Sequence, residues 1–131
     1  MLYRDFFELE TETNNFYNIT DRITEIIKKS SLQDGLCNIF LPSTTAGLMI
    51  NENDRMLNED FRRVFNELAP ETRLYFHPEN AQSHIRASLL TQNITLSFAN
   101  GKLLLGTWQN ILLWEFDLKP RQRKVVVTLV Y

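Results

Sequence analysis

One cysteine, two histidines, four glycines and four prolines are all that this 131-residue chain holds of the residues that most often make cross-links, metal sites and hinges. Cys37 has no partner for an intrachain disulfide, so nothing calls for an oxidising compartment. So little Gly and Pro leaves scant room for long flexible linkers. No apolar run approaches the ~18–20 residues that span a bilayer. The start, Met1-Leu2-Tyr3-Arg4-Asp5, lacks the basic segment and apolar stretch of a secretory signal. A soluble cytoplasmic protein with no membrane partner is therefore expected. Charge of one sign is missing as well: 14 Lys and Arg face 16 Asp and Glu for a net −2, which gives no chain-wide attraction to nucleic-acid phosphate. A phosphate-binding glycine loop, Gly-x-Ser-x-Gly and Cys-x-x-Cys are all absent, which removes the standard nucleotide, hydrolase and redox motifs.

What is present is ordinary globular composition, 44% hydrophobic and 23% charged, at a length that suits one domain over 1–131. Residues 2–11 mix aromatics and charges as a strand with one wet face does. Ile19, Ile23, Ile26 and Ile27 recur at helical spacing, with Asn18 and Asp21 at the start and Lys28 and Lys29 at the end. Leu36 to Leu41 is apolar on both faces, a strand covered on both sides. Residues 44–50 continue as a second strand. Leu57, Phe61, Val64, Phe65 and Leu68 mark a second helix, closed by Ala69-Pro70. Beyond a short linker element at 80–90, Ile94, Leu96 and Phe98 alternate with polar residues, and Asn100-Gly101 is the preferred type I′ hairpin turn. Two more strands, 111–117 and 124–131, complete an expected four-strand meander. The fold class is α+β, a mostly antiparallel β-sandwich with two main helices.

Three stretches carry more polar chemistry than core and surface require. In 42–54, Ser43, Thr44 and Thr45 precede an apolar strand and Asn51, Glu52, Asn53 and Asp54 follow it, either as turn and cap residues or as the mouth of a polar cavity. In 77–88 both histidines, His77 and His84, stand beside Glu79, Asn80, Arg86 and Ser88. Imidazoles suit zinc, yet two are fewer than the three protein ligands usual at an open site, so surface or capping roles compete with metal binding. In 106–123, strand alternation puts Glu115 and Asp117 on the face of Ile111 and Leu113 and leaves Leu112, Trp114 and Phe116 on the other. The two carboxylates then either reach a wet edge or meet Arg121 or Arg123, whose guanidiniums also suit phosphate. Cys37, within an apolar strand, reads as a buried inert thiol.

In this order the three stretches resemble the YjbQ-like family, also described as secondary thiamine-phosphate synthases. The matching segments are Pro-Ser-Thr-Thr-Ala-Gly-Leu-Met-Ile-Asn-Glu-Asn at 42–53, Glu-Asn-Ala-Gln-Ser-His-Ile-Arg-Ala-Ser at 79–88 and Gly-Lys-Leu-Leu-Leu-Gly-Thr-Trp-Gln-Asn-Ile at 101–111. Glu-Phe-Asp at 115–117 and Arg-Gln-Arg at 121–123 follow. The resemblance implies a homotrimer with polar pockets near subunit contacts and an activity that joins a pyrimidine methyl diphosphate to a thiazole phosphate, releasing pyrophosphate. It implies catalytic roles for Glu52, Asn80 and His84, and a divalent metal, zinc or magnesium, on His77 and His84. Contacts to a small phosphorylated molecule or anion fall to Ser43, Thr44, Asn51, Asn53, Arg86, Ser88, Trp108, Gln109, Glu115, Asp117, Arg121 and Arg123. Where relatives carry histidine after the proline, this chain has Ser43, a poorer zinc ligand and no base near neutral pH; Arg86 stands where lysine is usual. The alternative is a non-catalytic homotrimer that binds a small anion or metal.

Overall fold

The computed structural model describes residues 1–131. Alternation along β1 (Leu2–Thr11) sends Phe7 and Thr11 inward and leaves Leu2, Arg4, Phe6 and Glu8 outside. A short strand absent from the sequence reading, β2 (Asn15–Asn18), leads into α1 (Thr20–Ser30), which buries Ile23, Ile26 and Ile27. The Asn18 side-chain oxygen accepts from the Thr20 N–H at 3.1 Å and from its hydroxyl at 2.7 Å, so a residue just outside the helix satisfies its first turn. After β3 (Gly35–Phe40) and β4 (Ala46–Asn51), Asp54 caps α2 (Arg55–Leu68) by accepting from the Leu57 N–H at 2.8 Å. There follow α3 (Ala81–Ser88), β5 (Asn93–Ala99), β6 (Lys102–Leu103), β7 (Asn110–Glu115) and β8 (Arg121–Val130). Asn100 and Gly101 both take positive φ, 53° and 74°, as the expected hairpin turn demands.

The strands form a five-stranded sheet of order β1-β8-β3-β5-β6 and a three-stranded sheet of order β2-β7-β4, with every pairing antiparallel. The main core lies between them, where Cys37, Ile39, Val125, Val127 and Leu129 of the larger sheet meet Leu48, Ile111 and Leu113 of the smaller. The outer face of the smaller sheet is covered in turn. Leu112, Trp114 and Phe116 pack with Phe65 of α2 and Ala87 of α3, and Phe65 meets the Trp114 and Phe116 rings edge-on at 5.2 and 5.1 Å.

Two expectations are corrected. Residues 93–131 are not a four-strand meander. β7 is apolar on both faces and takes the centre of the smaller sheet between β2 and β4, while β8 returns to the larger sheet and is hydrogen-bonded to β1 on one edge and β3 on the other. The expected linker at 80–90 is a third helix, anchored by the buried Ser83 hydroxyl, which donates to the Phe116 carbonyl at 2.6 Å. No helix is long and apolar enough to cross a membrane.

Candidate functional site

At one end of the sandwich the inner faces turn polar, and strand periodicity explains which residues meet there. Arg121 and Arg123 share the inward face of β8 with Val125, while Glu115 shares the inward face of β7 with Leu113. The β4 to β7 register sets Ala46 opposite Glu115, and the Phe116 N–H donates to the Thr45 carbonyl at 3.0 Å, so the segment before β4 lies against the end of β7. Arg123 is held bidentately: Nε donates to Glu115 Oε1 and Nη2 to Oε2, both at 2.6 Å, and Nη2 also reaches the Thr45 hydroxyl at 2.8 Å. Glu115 is 0% exposed. Its remaining capacity is taken by the Thr11 hydroxyl at 2.6 Å and the Asp117 N–H at 3.1 Å.

Arg121 repeats the arrangement nearer to solvent, with Nε donating to Asp117 Oδ2 at 2.5 Å. Burial alone would push the Asp117 carboxyl up. The hydrogen bonds from Arg121 and the Leu118 N–H, the Arg121 charge and the Asn80 side chain together hold it below the ordinary carboxylate range. Neither η nitrogen of Arg121, nor Nη1 of Arg123, has an acceptor within the protein.

These arginines border a cavity of about 640 Å³ whose other walls are Phe40 to Thr45, Asn80 and His84 at the start of α3, and Gln92. The Ser43 hydroxyl accepts from the Thr45 N–H at 3.1 Å and keeps its own proton to donate. Gln92 fixes the back wall by donating to the carbonyls of Ala46 and Ala87 at 3.2 and 3.1 Å. A second, apolar pocket of about 410 Å³ adjoins, lined by Tyr75, Phe76, His77, Ala81, His84 and Ile85, so His84 borders both.

Of the residues singled out in the sequence, Ser43, Thr44, Asn80, His84, Arg121 and Arg123 come together around the cavity, with Glu115 and Asp117 beneath the arginines. His77 lies next to His84, ring centroids 5.2 Å apart in edge-to-face contact, and its Nε2 is 3.0 Å from Asn80 Oδ1. The other residues lie elsewhere. Arg86 is 2% exposed, and its Nε and Nη2 both donate to the Ala69 carbonyl, at 3.1 and 2.7 Å, which ties α3 to the end of α2. Ser88 spends its hydroxyl on the Ile85 carbonyl. Asn51 ends β4 and Glu52 and Asn53 follow it, at the opposite end of the strand, roughly 17 Å from the cavity. Asn51 is in register with Asn110, so Trp108 and Gln109 belong to that far end too.

Gln92 and Thr11 join the site without a signal in the sequence, and Thr45 contributes without having been assigned a contact. Thr45 belonged to a flagged stretch, whereas Thr11 reaches Glu115 across 104 residues of chain and left no local signal. No group of three or more His, Cys, Asp or Glu is placed to hold an ion, and Glu79, at 3.9 Å, is the carboxylate beside His77.

A family model described as UPF0047 protein YjbQ-like matches residues 5–131. The chain belongs to this family. An Archaeoglobus fulgidus UPF0047 protein is 40% identical over 113 residues, covering 84% of this chain and 86% of the relative. The YjbQ protein of Salmonella typhimurium is 35% identical, with 98% of each chain covered. Among solved structures, a Sulfolobus solfataricus YjbQ-like protein superposes with a TM-score of 0.88 at 31% identity, 98% of each chain being covered. A Clostridium acetobutylicum member of the YjbQ/UPF0047 family gives 0.85 at 38% identity, with 95% of this chain and 99% of the other covered. The likeness reaches family and fold, and the YjbQ-like segments at 42–53, 79–88 and 101–111 all fall inside the matched span.

Proposed function

We propose that this YjbQ-like chain binds a small phosphorylated molecule in the cavity between Ser43–Thr45, His84 and the two arginines. The observation that carries the reading is the pair of guanidinium edges, Arg121 Nη1 and Nη2 and Arg123 Nη1, which lack protein acceptors and border the same space as the Ser43 and Thr44 hydroxyls. Such donors are fixed before the ligand arrives, because buried carboxylates already hold both side chains, and a pre-ordered donor set loses little entropy on binding. In calorimetric titration with phenyl phosphate, Arg121→Met should weaken binding about tenfold, the loss of one charge-assisted hydrogen-bonding group. Equal affinity in the variant and the wild type would remove the reading. Arg121 suits the test because it is the more exposed of the two arginines, with 41% of its side chain accessible against 12% for Arg123.

A second reading, transfer chemistry of the thiamine-phosphate type, is favoured by the apolar pocket that shares His84 with the polar cavity. A phosphate beside the arginines would leave a flat heteroaromatic ring next to Tyr75 and Phe76. On this reading His84 and Asn80 flank the reacting groups. Assay of the pyrimidine methyl diphosphate with the thiazole phosphate, with and without magnesium or zinc, separates the two: product formation selects the transferase, and ligand binding without turnover selects the binding protein. A homotrimer goes with either reading, and the far-end cluster of Asn51, Glu52 and Asn53 would then reach a cavity only from a neighbouring copy.

A further inference from the structure

The same ion pairs that hold the arginines still also cancel their charge. Glu115 lies 2.6 Å from Arg123, and Asp117 lies 2.5 Å from Arg121. Both carboxylates are shielded from water, at 0% and 4% side-chain exposure, so solvent does little to screen them. A ligand in the cavity therefore faces two guanidinium-carboxylate dipoles rather than two free cations. Further out, Arg121 borders a groove containing Glu10 and Glu12, which adds negative charge on its far side. The remaining cavity walls, from Phe40 to Thr45 with Asn80, His84 and Gln92, hold no Lys or Arg.

Resting on the reading that this is a phosphate site, we infer that the cavity selects a phosphate monoester over a diphosphate. Recognition comes from the directed N–H donors of Arg121 and Arg123 and the hydroxyls of Ser43 and Thr44, with no Lys or Arg beyond the two paired guanidiniums. One phosphoryl group offers three oxygens to those donors. A second brings at least one more negative charge into a site whose two arginines are already matched by carboxylates, beside a buried Glu115 whose field is strong in a medium of low dielectric. A diphosphate enters well only when a divalent cation accompanies it. Two predictions follow from charge balance. Binding of a monoester depends weakly on salt, and removing one of the two carboxylates raises affinity for a polyanion where loss of a merely structural contact would lower it.

The experiment is calorimetric titration of the full chain with inorganic phosphate and with pyrophosphate, in EDTA, at low and moderate NaCl. Phosphate is expected to bind at least as tightly as pyrophosphate, with an affinity that changes less than about threefold between 50 and 200 mM salt. Asp117→Asn should raise pyrophosphate affinity about tenfold, the low end of what one charge within ~4–6 Å does to an ionic equilibrium. Pyrophosphate binding tighter than phosphate to the wild type without a cation would overturn the inference and leave the phosphate site standing. Absence of binding by either anion would remove the phosphate site itself and the inference with it. The wild-type comparison decides the matter alone if Asp117→Asn does not fold.

Discussion

At residue scale the ion pairs give the site its pH limit. Asp117 titrates below the ordinary carboxylate range in the folded protein, because the Arg121 and Leu118 hydrogen bonds outweigh the effect of burial. A folded-state pKa lowered in this way contributes stability that is complete above the unfolded value of about 3.9 and is lost as pH falls through the folded value. In urea unfolding, the stability gap between wild type and Asp117→Asn should therefore stay constant from pH 7 to about 5 and close only below about pH 4. A gap that closes near neutrality would contradict the pairing. These pairs were legible in sequence because period-two alternation puts Glu115 and Asp117 on a buried face and two arginines close behind in the chain. Cys37 was equally legible: desolvation in its strand pushes the thiol up to about 12, so it is inert at neutral pH. Arg86 was not legible as a structural residue. A positive charge near two histidines looks like an anion contact, and nothing local shows that the Ala69 carbonyl, 17 residues away, accepts from its Nε and Nη2.

At the scale of elements, what set the cavity is how β4 lies against the segment after α3. A methyl group on Gly47 would come within 2.8 Å of Leu90 Cβ and 3.4 Å of the Ala87 carbonyl. Neither contact is the free end of a flexible side chain, so the strand and the helix must separate. Gly47→Ala should cost about 1–3 kcal/mol in urea unfolding, as overpacking of a closed interface does. It should also weaken phenyl phosphate binding, since Gln92 bridges Ala46 and Ala87 across the same seam. Unchanged stability would show that the seam yields freely. The sequence exposed β4 as an apolar segment between polar flanks but hid its neighbours, because strand order is a long-range property. Turn signals such as Asn100-Gly101 report adjacent pairing, and they suggested a meander. What decided the topology was that β7 and β8 each take a partner on both edges, β2 and β4 for β7 and β1 and β3 for β8, while β7 is covered on one face by the larger sheet and on the other by α2 and α3.

At the scale of the molecule, the outer face of the five-stranded sheet is where the proposed homotrimer has its physical motive. Register aligns Leu2, Val130 and Leu36 in one apolar row and Phe6, Val126 and Phe40 in another. Between them runs a polar row of Arg4, Thr128 and Asn38, in which Arg4 Nε donates to the Thr128 hydroxyl at 3.1 Å. Leu2, Phe6, Leu36 and Phe40 are 60%, 51%, 46% and 43% exposed, so the chain leaves four large apolar side chains on one flat surface. Two exposed apolar rows on one sheet face give a second copy surface to cover, and the polar row between them favours one register of contact over others. Light scattering at micromolar concentration should give three times the chain mass. Phe6→Glu combined with Leu36→Glu puts like charges on both rows and should yield a folded monomer, with the Cys37 core beneath unaltered. A wild-type protein that stays at one chain mass would refute the trimer. It would also leave Glu52 isolated roughly 17 Å of strand from the cavity, with no route into its chemistry. If the trimer forms and Glu52→Gln lowers turnover without changing phenyl phosphate affinity, the acidic cluster at the end of β4 acts on a neighbour's cavity rather than on its own.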